Sequence, residues 1–140
     1  MRVVVDTNVI VSALLGSPNA QAILVAFRDG HLQLVTTREL VDEMGRVLTR
    51  PKLATVVDAG EAKRVRRLVL RRASIVTATS NVSICGDPKD NVILAAAIAG
   101  RAAAVVTGDN DLLVLHPYEG IDIIKPADFL ARLNKRDGVR

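Results

Sequence analysis

This chain of 140 residues contains little of the chemistry on which disulfide-linked, zinc-bound and membrane-spanning proteins depend. Its one cysteine, Cys85, excludes an intramolecular disulfide and a metal cluster built from cysteines. His31 and His116 are widely separated in the sequence, and we do not expect either to bind a metal. No apolar run approaches the length of a membrane span. Aromatic residues make up 2% of the chain and apolar residues 49%, so the core should consist of Val, Leu, Ile and Ala.

The length and charge of the chain indicate one domain with a preference for anionic partners. A chain of 140 residues is long enough to bury a substantial core as a single domain. We place that domain at residues 1–134 and a basic C-terminal tail at residues 135–140. The net charge is +4, which favours negatively charged partners even though several acids are clustered. Met1 leads almost directly into the first apolar segment, so we expect no signal peptide and a cytoplasmic protein.

Short β-branched segments alternate with helical patterns along the chain. The valines at residues 3–5 show no polar alternation, which is typical of a strand buried on both faces of a parallel sheet. The predicted strands cover residues 3–5, 32–35, 74–79, 104–107 and 121–124, with a further extended segment at 82–84. The predicted helices cover residues 9–15, 20–28, 38–49, 60–72, 91–99, 112–115 and 126–133. This alternation predicts an α/β fold, a three-layer α/β/α sandwich around a mainly parallel sheet.

Carboxylates follow or flank the predicted strands at one end of the sheet. Asp6 comes directly after the first buried strand, and ligands of open α/β sheets bind beyond the carboxyl ends of the strands. Glu43 lies beside the apolar face of the helix at 38–49 and can lean over the sheet edge, whereas Asp42 should be solvated. Four segments therefore place acids near one another: Asp6, Glu43, Asp87 with Asp90, and Asp109 with Asp111.

Each of these acids except Glu43 also has a purely structural interpretation. Asp87 and Asp90 resemble a helix N-cap and its third-position partner, and Asp109 could cap the turn after its strand. For the first helix, Thr7 or Asn8 is the predicted cap, and the structural interpretation of Asp6 and Asn8 is that they only cap backbone N–H groups. Taken together the capping interpretation weakens, because carboxylates that converge without a paired Lys or Arg repel one another unless a cation sits between them.

The donors in these segments are all oxygen atoms, from carboxylates, the Asn8 amide and the hydroxyls of Thr7 and Thr107. Oxygen donors favour hard ions, Mg²⁺ or Mn²⁺, over zinc. Such ions between carboxylates are the usual apparatus for phosphodiester hydrolysis, in which a metal activates a water molecule. No convincing serine, cysteine or histidine nucleophile with its partners is present in the sequence.

In these residues the chain resembles the PIN-domain ribonucleases, and more narrowly the group described as toxin components of toxin–antitoxin systems, related to the VapC toxins. The resemblance covers almost the whole chain and depends on several motifs that occur in order. They are Val4-Val5-Asp6-Thr7-Asn8-Val9, Glu39-Leu40 with Glu43, Arg50-Pro51-Lys52, Asp87-Pro88-Lys89-Asp90 before Leu94-Ala95, Val106-Thr107-Gly108-Asp109 with Asp111-Leu112-Leu113, and Pro126-Ala127-Asp128-Phe129-Leu130.

The resemblance implies a five-stranded parallel sheet and a Mg²⁺- or Mn²⁺-dependent ribonuclease that is a homodimer and is held inactive by a cognate antitoxin. It places the acidic quartet of catalytic metal ligands on Asp6, Glu43, Asp90 and Asp109. The accessory positions fall on Asn8, Thr107 and Asp111, with Asp87 beside them. Relatives often have further acids around Asp90, where this chain has Lys89 and Asn91, so its site is less acidic than theirs.

The helix at 60–72 has an apolar and a basic side. Its predicted buried side consists of Ala62, Val65, Leu68 and Val69. Its basic stripe consists of Lys63, Arg64, Arg67 and Arg71. The stripe could neutralise RNA phosphates, bind an acidic antitoxin segment or form a solvated helix face. The scarcity of aromatics argues against recognition of bases by stacking.

Three other functions fit parts of the pattern. A haloacid-dehalogenase-type phosphatase also carries acids after its first strand, but Asn8 stands where the proton-donating acid would be needed. A receiver-type phosphoacceptor needs a lysine after a late strand, and none stands there. The third is a non-catalytic PIN-like domain for RNA binding or dimerisation, which a missing quartet member would favour. None of the four acids is missing.

Overall fold

The structure, a computed structural model, describes residues 1–79 and 81–136. Its strands are β1 (Arg2–Val5), β2 (Gln33–Thr36), β3 (Ser74–Ile75), β4 (Ala104–Val106) and β5 (Asp122–Ile124). They form one sheet in the order β3-β2-β1-β4-β5, and every neighbouring pair is parallel. The strand β1 is therefore central. The chain first extends the sheet on one side of β1, through β2 and β3, and then on the other side, through β4 and β5. This confirms the predicted five-stranded parallel sheet.

The helices are α1 (Thr7–Leu14), α2 (Pro18–Arg28), α3 (Arg38–Leu48), α4 (Pro51–Ala54), α5 (Ala59–Arg72), α6 (Pro88–Ala99), α7 (Asn110–Leu113) and α8 (Pro126–Arg136). Pro51 follows α3 and begins the short helix α4, since proline suits a first helical position. The extended segment predicted at 82–84 forms no strand. The last helix includes the first two residues of the predicted tail, and residues 137–140 lie outside the described part of the chain.

Two apolar clusters cover the two faces of the sheet. Val3 and Val5 point into one cluster, together with buried side chains of α1, α2, α3, α5 and α8. Val4 points to the opposite face and packs with side chains of α6 and α7. Because successive side chains of a strand point to opposite faces, the valine run of β1 serves both clusters at once. The arrangement is the three-layer α/β/α sandwich.

The helix α5 packs more loosely than predicted. Of the four residues assigned to its buried side, only Val69 is buried, while Ala62, Val65 and Leu68 are partly exposed. These three side chains lie at the edge of the first apolar cluster. The predicted side of α5 therefore does face the core, but only Val69 is fully buried in it.

Among the described residues, no single helix is long and apolar enough to cross a membrane. The helices α1 and α2 would meet that test only as a pair, and they are bent by 106° relative to each other.

Candidate active site

Asp6 stands at the carboxyl end of the central strand and is almost completely buried. Its backbone N–H extends the pairing of β1 with β4 by donating to the Val106 carbonyl at 3.0 Å. Its side chain caps α1, with Oδ1 accepting a hydrogen bond from the Asn8 backbone N–H at 3.3 Å. The prediction of Thr7 or Asn8 as the cap is therefore wrong. The helix begins at Thr7, two residues earlier than predicted, and the acid is both its cap and a site residue.

Thr107 links two acids through one buried hydroxyl group. The residue has no exposed surface and follows β4 directly. Its hydroxyl donates to Asp6 Oδ2 at 2.8 Å and accepts a hydrogen bond from the Asp109 backbone N–H at 3.0 Å. Asp109 in turn caps α7, with Oδ1 accepting a hydrogen bond from the Asp111 backbone N–H at 2.9 Å. Thr107 therefore holds Asp6 and Asp109 in fixed positions relative to each other.

Three carboxylates form the tightest group of acids. Asp87 caps α6 through a hydrogen bond from the Lys89 backbone N–H at 2.9 Å, which places Asp90 in the first helical turn with 5% of its surface exposed. One oxygen each of Asp90, Asp109 and Asp111 lies within 4.8 Å of the others. Asp111, predicted as an accessory residue, thus belongs to the centre of the group.

Other carboxylates lie close enough to Asp90 to raise its pKa by electrostatic repulsion. Burial raises the pKa of Asp90 to about 6, helped by the carboxylates of Asp109, Asp87, Asp6 and Asp111. These five residues therefore share one electrostatic environment. Asp6 directly follows β1, and Asp109 follows β4 as the cap of α7. Asp87 and Asp90 lie at the start of α6, and Asp111 lies in the first turn of α7, as expected where the carboxyl ends of parallel strands meet.

At Asp6, burial and hydrogen bonding shift the pKa of the carboxyl group in opposite directions. Burial raises its pKa, the hydrogen bonds from Thr107 and the Asn8 backbone oppose that rise, and the carboxylates of Asp109 and Glu43 add to it. The hydrogen bonds favour the ionised form of Asp6, whereas the surrounding acids disfavour it. A cation is what would remove this conflict.

Glu43 has a partner that we did not predict. It lies on α3 with a side chain 16% exposed, and its Oε1 is 3.4 Å from Nζ of Lys89 on α6. The expectation of acids without a paired Lys or Arg is thus wrong for Glu43. For residues 1–79 and 81–136 it holds elsewhere in the site, because no Lys or Arg nitrogen forms an ion pair with Asp6, Asp90, Asp109 or Asp111. Asp42, one residue earlier on α3, is exposed as predicted.

The residues present fit a divalent cation. Asp90, Asp109 and Asp111 offer converging oxygen atoms, and the buried Asp6 lies within electrostatic reach. An all-oxygen set of this kind suits Mg²⁺, Mn²⁺ or Ca²⁺ and is a poor match for metals that prefer sulfur or nitrogen. The group can therefore hold a metal ion, and the ion would offset the repulsion among these acids.

The remaining polar residues near the site have structural roles or lie at its edge. Asn8 has an exposed side chain beside Asp6. Asn91, which we did not predict, accepts from the Cys85 backbone N–H at 2.9 Å and donates to its carbonyl at 3.2 Å, so it holds the loop before α6. Burial, together with the nearby carboxylates, raises the pKa of the Cys85 thiol, which argues against a thiolate nucleophile. His116 Nδ1 accepts a hydrogen bond from the Ile123 backbone N–H at 2.9 Å, so this histidine has a structural role that needs no metal.

The basic stripe lies on the exposed side of α5. Lys63, Arg64, Arg67 and Arg71 are all exposed on α5, and none forms an ion pair with the carboxylates of the site. Three of these residues, Arg64, Arg67 and Arg71, help to line a broad groove between α2 and α5, described below. Among the described residues that line this groove are none of the carboxylates Asp6, Asp90, Asp109 and Asp111.

The fold and the site together define a class of protein: a parallel α/β domain with a cluster of acids, able to bind a cation, at the carboxyl edge of its sheet. A profile of the PIN domain matches residues 2–111, and the chain belongs to the PIN domain family. PIN domains are typically nucleases.

Two known proteins are similar to this chain. The uncharacterized protein MJ1680 of Methanocaldococcus jannaschii is 30% identical over 120 residues, which cover 82% of this chain and 75% of that protein. The crystal structure of PAE2754 from Pyrobaculum aerophilum superposes with a TM-score of 0.60 at 18% identity, covering 96% of this chain and 90% of that one. At that level of identity the second similarity concerns the fold alone.

Proposed function

We propose that this protein is an endoribonuclease that depends on Mg²⁺ or Mn²⁺ and hydrolyses RNA phosphodiester bonds with a metal-activated water. The observation that carries the proposal is the convergence of Asp90, Asp109 and Asp111 within 4.8 Å, without a cationic partner among the described residues. Mutually repelling acids in a PIN domain are best explained by a cation that they bind. The sequence shows no convincing serine, cysteine or histidine nucleophile with its partners, so water is the expected nucleophile.

The residues of the site would act as ligands and as groups that orient ligands. Asp90, Asp109 and Asp111 would hold the ion, with Asp6 beside them. When bound, the ion would lower the pKa of a coordinated water and stabilise the charge that develops on the phosphate. Thr107 would keep Asp6 ionised and correctly oriented, because its hydroxyl donates to the carboxylate. Asp90 would release any bound proton as the ion enters, since ligands must be deprotonated.

The RNA would be held by the basic residues of α5, Lys63, Arg64, Arg67 and Arg71. Their side chains are exposed, and the net charge of +4 favours a polyanion. With one tyrosine, two phenylalanines and no tryptophan, the chain has few rings for stacking, so backbone phosphates and RNA shape would dominate recognition.

The biological role that we propose is that of the toxin in a toxin–antitoxin pair, acting in the cytoplasm. A groove between α2 and α5 supports a protein partner for the toxin. Its apolar lining includes Leu14, Leu24 and Leu68, and arginines including Arg28 and Arg64 stand around it. An antitoxin segment with one apolar and one acidic side would complement this groove in both respects.

We further propose that the protein is a homodimer. Several large apolar side chains of the first half of the chain are exposed, including Leu15 at 53% and Val56 at 64%. Burying such side chains against a second copy would remove apolar surface from water. Sedimentation at tens of micromolar should give the mass of a dimer, and a monomer at that concentration would contradict this part of the proposal.

Two alternatives make different predictions. A non-catalytic PIN-like domain for RNA binding or dimerisation would bind RNA, and could bind metal, but would not cleave. A haloacid-dehalogenase-type phosphatase would release phosphate from monoesters, and the exposed amide of Asn8 offers no acid for that reaction. Membership of the PIN family argues against the phosphatase.

The experiment that tests the proposal compares RNA cleavage by the purified protein in Mg²⁺, in Mn²⁺ and in EDTA. Cleavage should occur with either ion and stop in EDTA. Asp90→Asn and Asp6→Asn keep the size of the side chain but remove the charge, and each should lower the rate at least about a hundredfold, about 2.7 kcal/mol of transition-state stabilisation.

The matched control is Asp42→Asn, because Asp42 is an exposed acid on α3 outside the carboxylate group. This variant should cleave at the wild-type rate. Cleavage that persists in EDTA and in Asp6→Asn would refute the proposed site. Metal binding without cleavage of any RNA would favour the non-catalytic alternative.

A separate measurement concerns the basic stripe. Replacing Arg67 and Arg71 by alanine should weaken RNA binding and flatten its dependence on salt, because two phosphate contacts and their released counterions are lost. Cleavage in a single turnover at saturating RNA should stay near the wild-type rate. A variant that binds RNA like wild type would remove the stripe from the RNA interface and favour the acidic protein partner.

A further inference from the structure

Lys89 brings a positive charge of the protein itself into the acidic site. It occupies the second position of α6, where Pro88 precedes it and its backbone N–H is bonded to the Asp87 carboxylate at 2.9 Å. Its Nζ reaches across to Glu43 on α3, 3.4 Å from Oε1. The contact therefore joins two helices on either side of the site and does not depend on a flexible surface loop.

This ion pair differs from the other two among the described residues in the burial of its acid. Arg28–Asp29 and Arg132–Asp122 join side chains that are all at least 36% exposed. In Lys89–Glu43 the lysine is 56% exposed while the carboxylate is only 16% exposed. A carboxylate taken this far out of water needs a nearby cation, and for Glu43 the chain provides one.

Apart from the helix cap Asp87, the acids of the site divide into two sets. Asp90, Asp109 and Asp111 converge on one point and have no cationic partner among the described residues, with Asp6 beside them. Glu43 is paired with Lys89. Catalytic sites with two metals place their ions about 3.5–4 Å apart and need carboxylates to hold both. In this site the acid available for a second ion is already neutralised.

We propose that Lys89 takes the place of a second divalent cation, so that the site binds one metal ion and Glu43 is not a ligand of it. The inference builds on the proposed metal-dependent nuclease. A divalent ion entering beside Glu43 would be repelled by the ammonium group and would have to displace it. The ammonium is partly exposed, so it also presents positive charge to an RNA phosphate approaching the site.

The test counts the ions that the full-length protein binds, using Mn²⁺ as the probe in equilibrium dialysis and electron paramagnetic resonance. Wild type should bind one Mn²⁺ per chain and show no spin coupling between two ions. Lys89→Met keeps the length of the side chain and removes its charge. This variant should bind a second Mn²⁺ at least about tenfold more tightly than wild type does, with a coupled spectrum, because a like charge has been removed.

Three further variants identify the cause. Lys89→Arg keeps the charge and should behave as wild type. Lys52→Met, which removes an exposed lysine on α4, should also bind one ion. Adding Glu43→Gln to Lys89→Met should abolish the second ion, because the acid that would hold it is lost. Urea unfolding of each variant shows that the ion counts refer to folded protein.

The inference is overturned if wild type binds two ions, or if Lys89→Met binds one ion with unchanged affinity. These results leave the proposed nuclease intact when RNA is still cleaved in a metal-dependent way. Conversely, the expected ion counts without any RNA cleavage would refute the nuclease and leave the role of Lys89 standing. A wild-type protein that binds no Mn²⁺ would refute both.

Discussion

Replacing Thr107 by valine tests the connection between the fold and the site. Valine matches threonine in shape, so the change removes the hydroxyl and leaves little cavity. Two groups then lose a partner: Asp6 Oδ2, which accepted at 2.8 Å, and the Asp109 backbone N–H, which donated at 3.0 Å. The residue is completely buried, so water has little access to replace the hydroxyl. Leaving a buried polar group unpaired costs about 1–3 kcal/mol, and we expect a total loss of about 2–4 kcal/mol.

The assay is urea unfolding at neutral pH in EDTA, which keeps metal binding out of the measured stability. Thr36→Val is the matched control. Thr36 is a buried threonine of β2 whose hydroxyl makes only a 3.5 Å contact with the Thr37 carbonyl, and that carbonyl also accepts from the Val41 N–H at 3.0 Å. The control should lose less than about 1 kcal/mol.

The same variant should affect metal binding. The Thr107 hydroxyl lowers the pKa of Asp6, so its removal should raise that pKa further and weaken Mn²⁺ binding near neutral pH. Equal losses of stability in Thr107→Val and Thr36→Val would refute the reasoning, because they would show that the two site hydrogen bonds contribute nothing measurable.

Three other outcomes follow from the structure. Asp90→Asn should stabilise the metal-free protein against urea, since it removes a buried charge repelled by its neighbours, while it abolishes Mn²⁺ binding in dialysis. The pKa of Asp90 in the folded protein is about 6, above the ordinary value of 3.8, so the folded state binds the proton more tightly than the unfolded state does. Metal-free wild type should therefore lose stability as the pH rises from about 4 to about 6. Asp90→Asn should lose less over the same range. Gly100→Ala should cost at least about 1 kcal/mol in the same assay, because its Cβ would lie 2.1 Å from the Val35 side chain, whereas Gly86→Ala, which meets nothing within 4 Å, should cost less.

The architecture could be predicted from the sequence because the signals for it are local. The valines before Asp6 and Asp109 mark strands buried on both faces, and parallel strands bring their carboxyl ends to one edge. The capping roles of Asp87 and Asp109 were also readable, since a cap bonds to a backbone N–H two or three residues away. Among the caps, the prediction of Thr7 or Asn8 failed for α1, where Asp6 itself is the cap.

Tertiary packing, and not its position at a helix end, explains why residue 100 is a glycine. Gly100 stands at the C-terminal end of α6, a position where glycine is common. Its φ of −87° is open to any residue, however, so conformational freedom does not explain it. The explanation is the close approach to Val35 of β2, which only the packing of α6 on the sheet brings about.

By itself the sequence determined which residues are acids, which strands they follow and which edge of the sheet they share. Only the tertiary structure decided how those acids are paired. Thr107 and Asp6 are 101 residues apart and share a hydrogen bond, and Lys89 on α6 reaches Glu43 on α3. Such contacts depend on where the helices pack against the sheet. Periodicity and capping signals act over a few residues and carry no information about that packing.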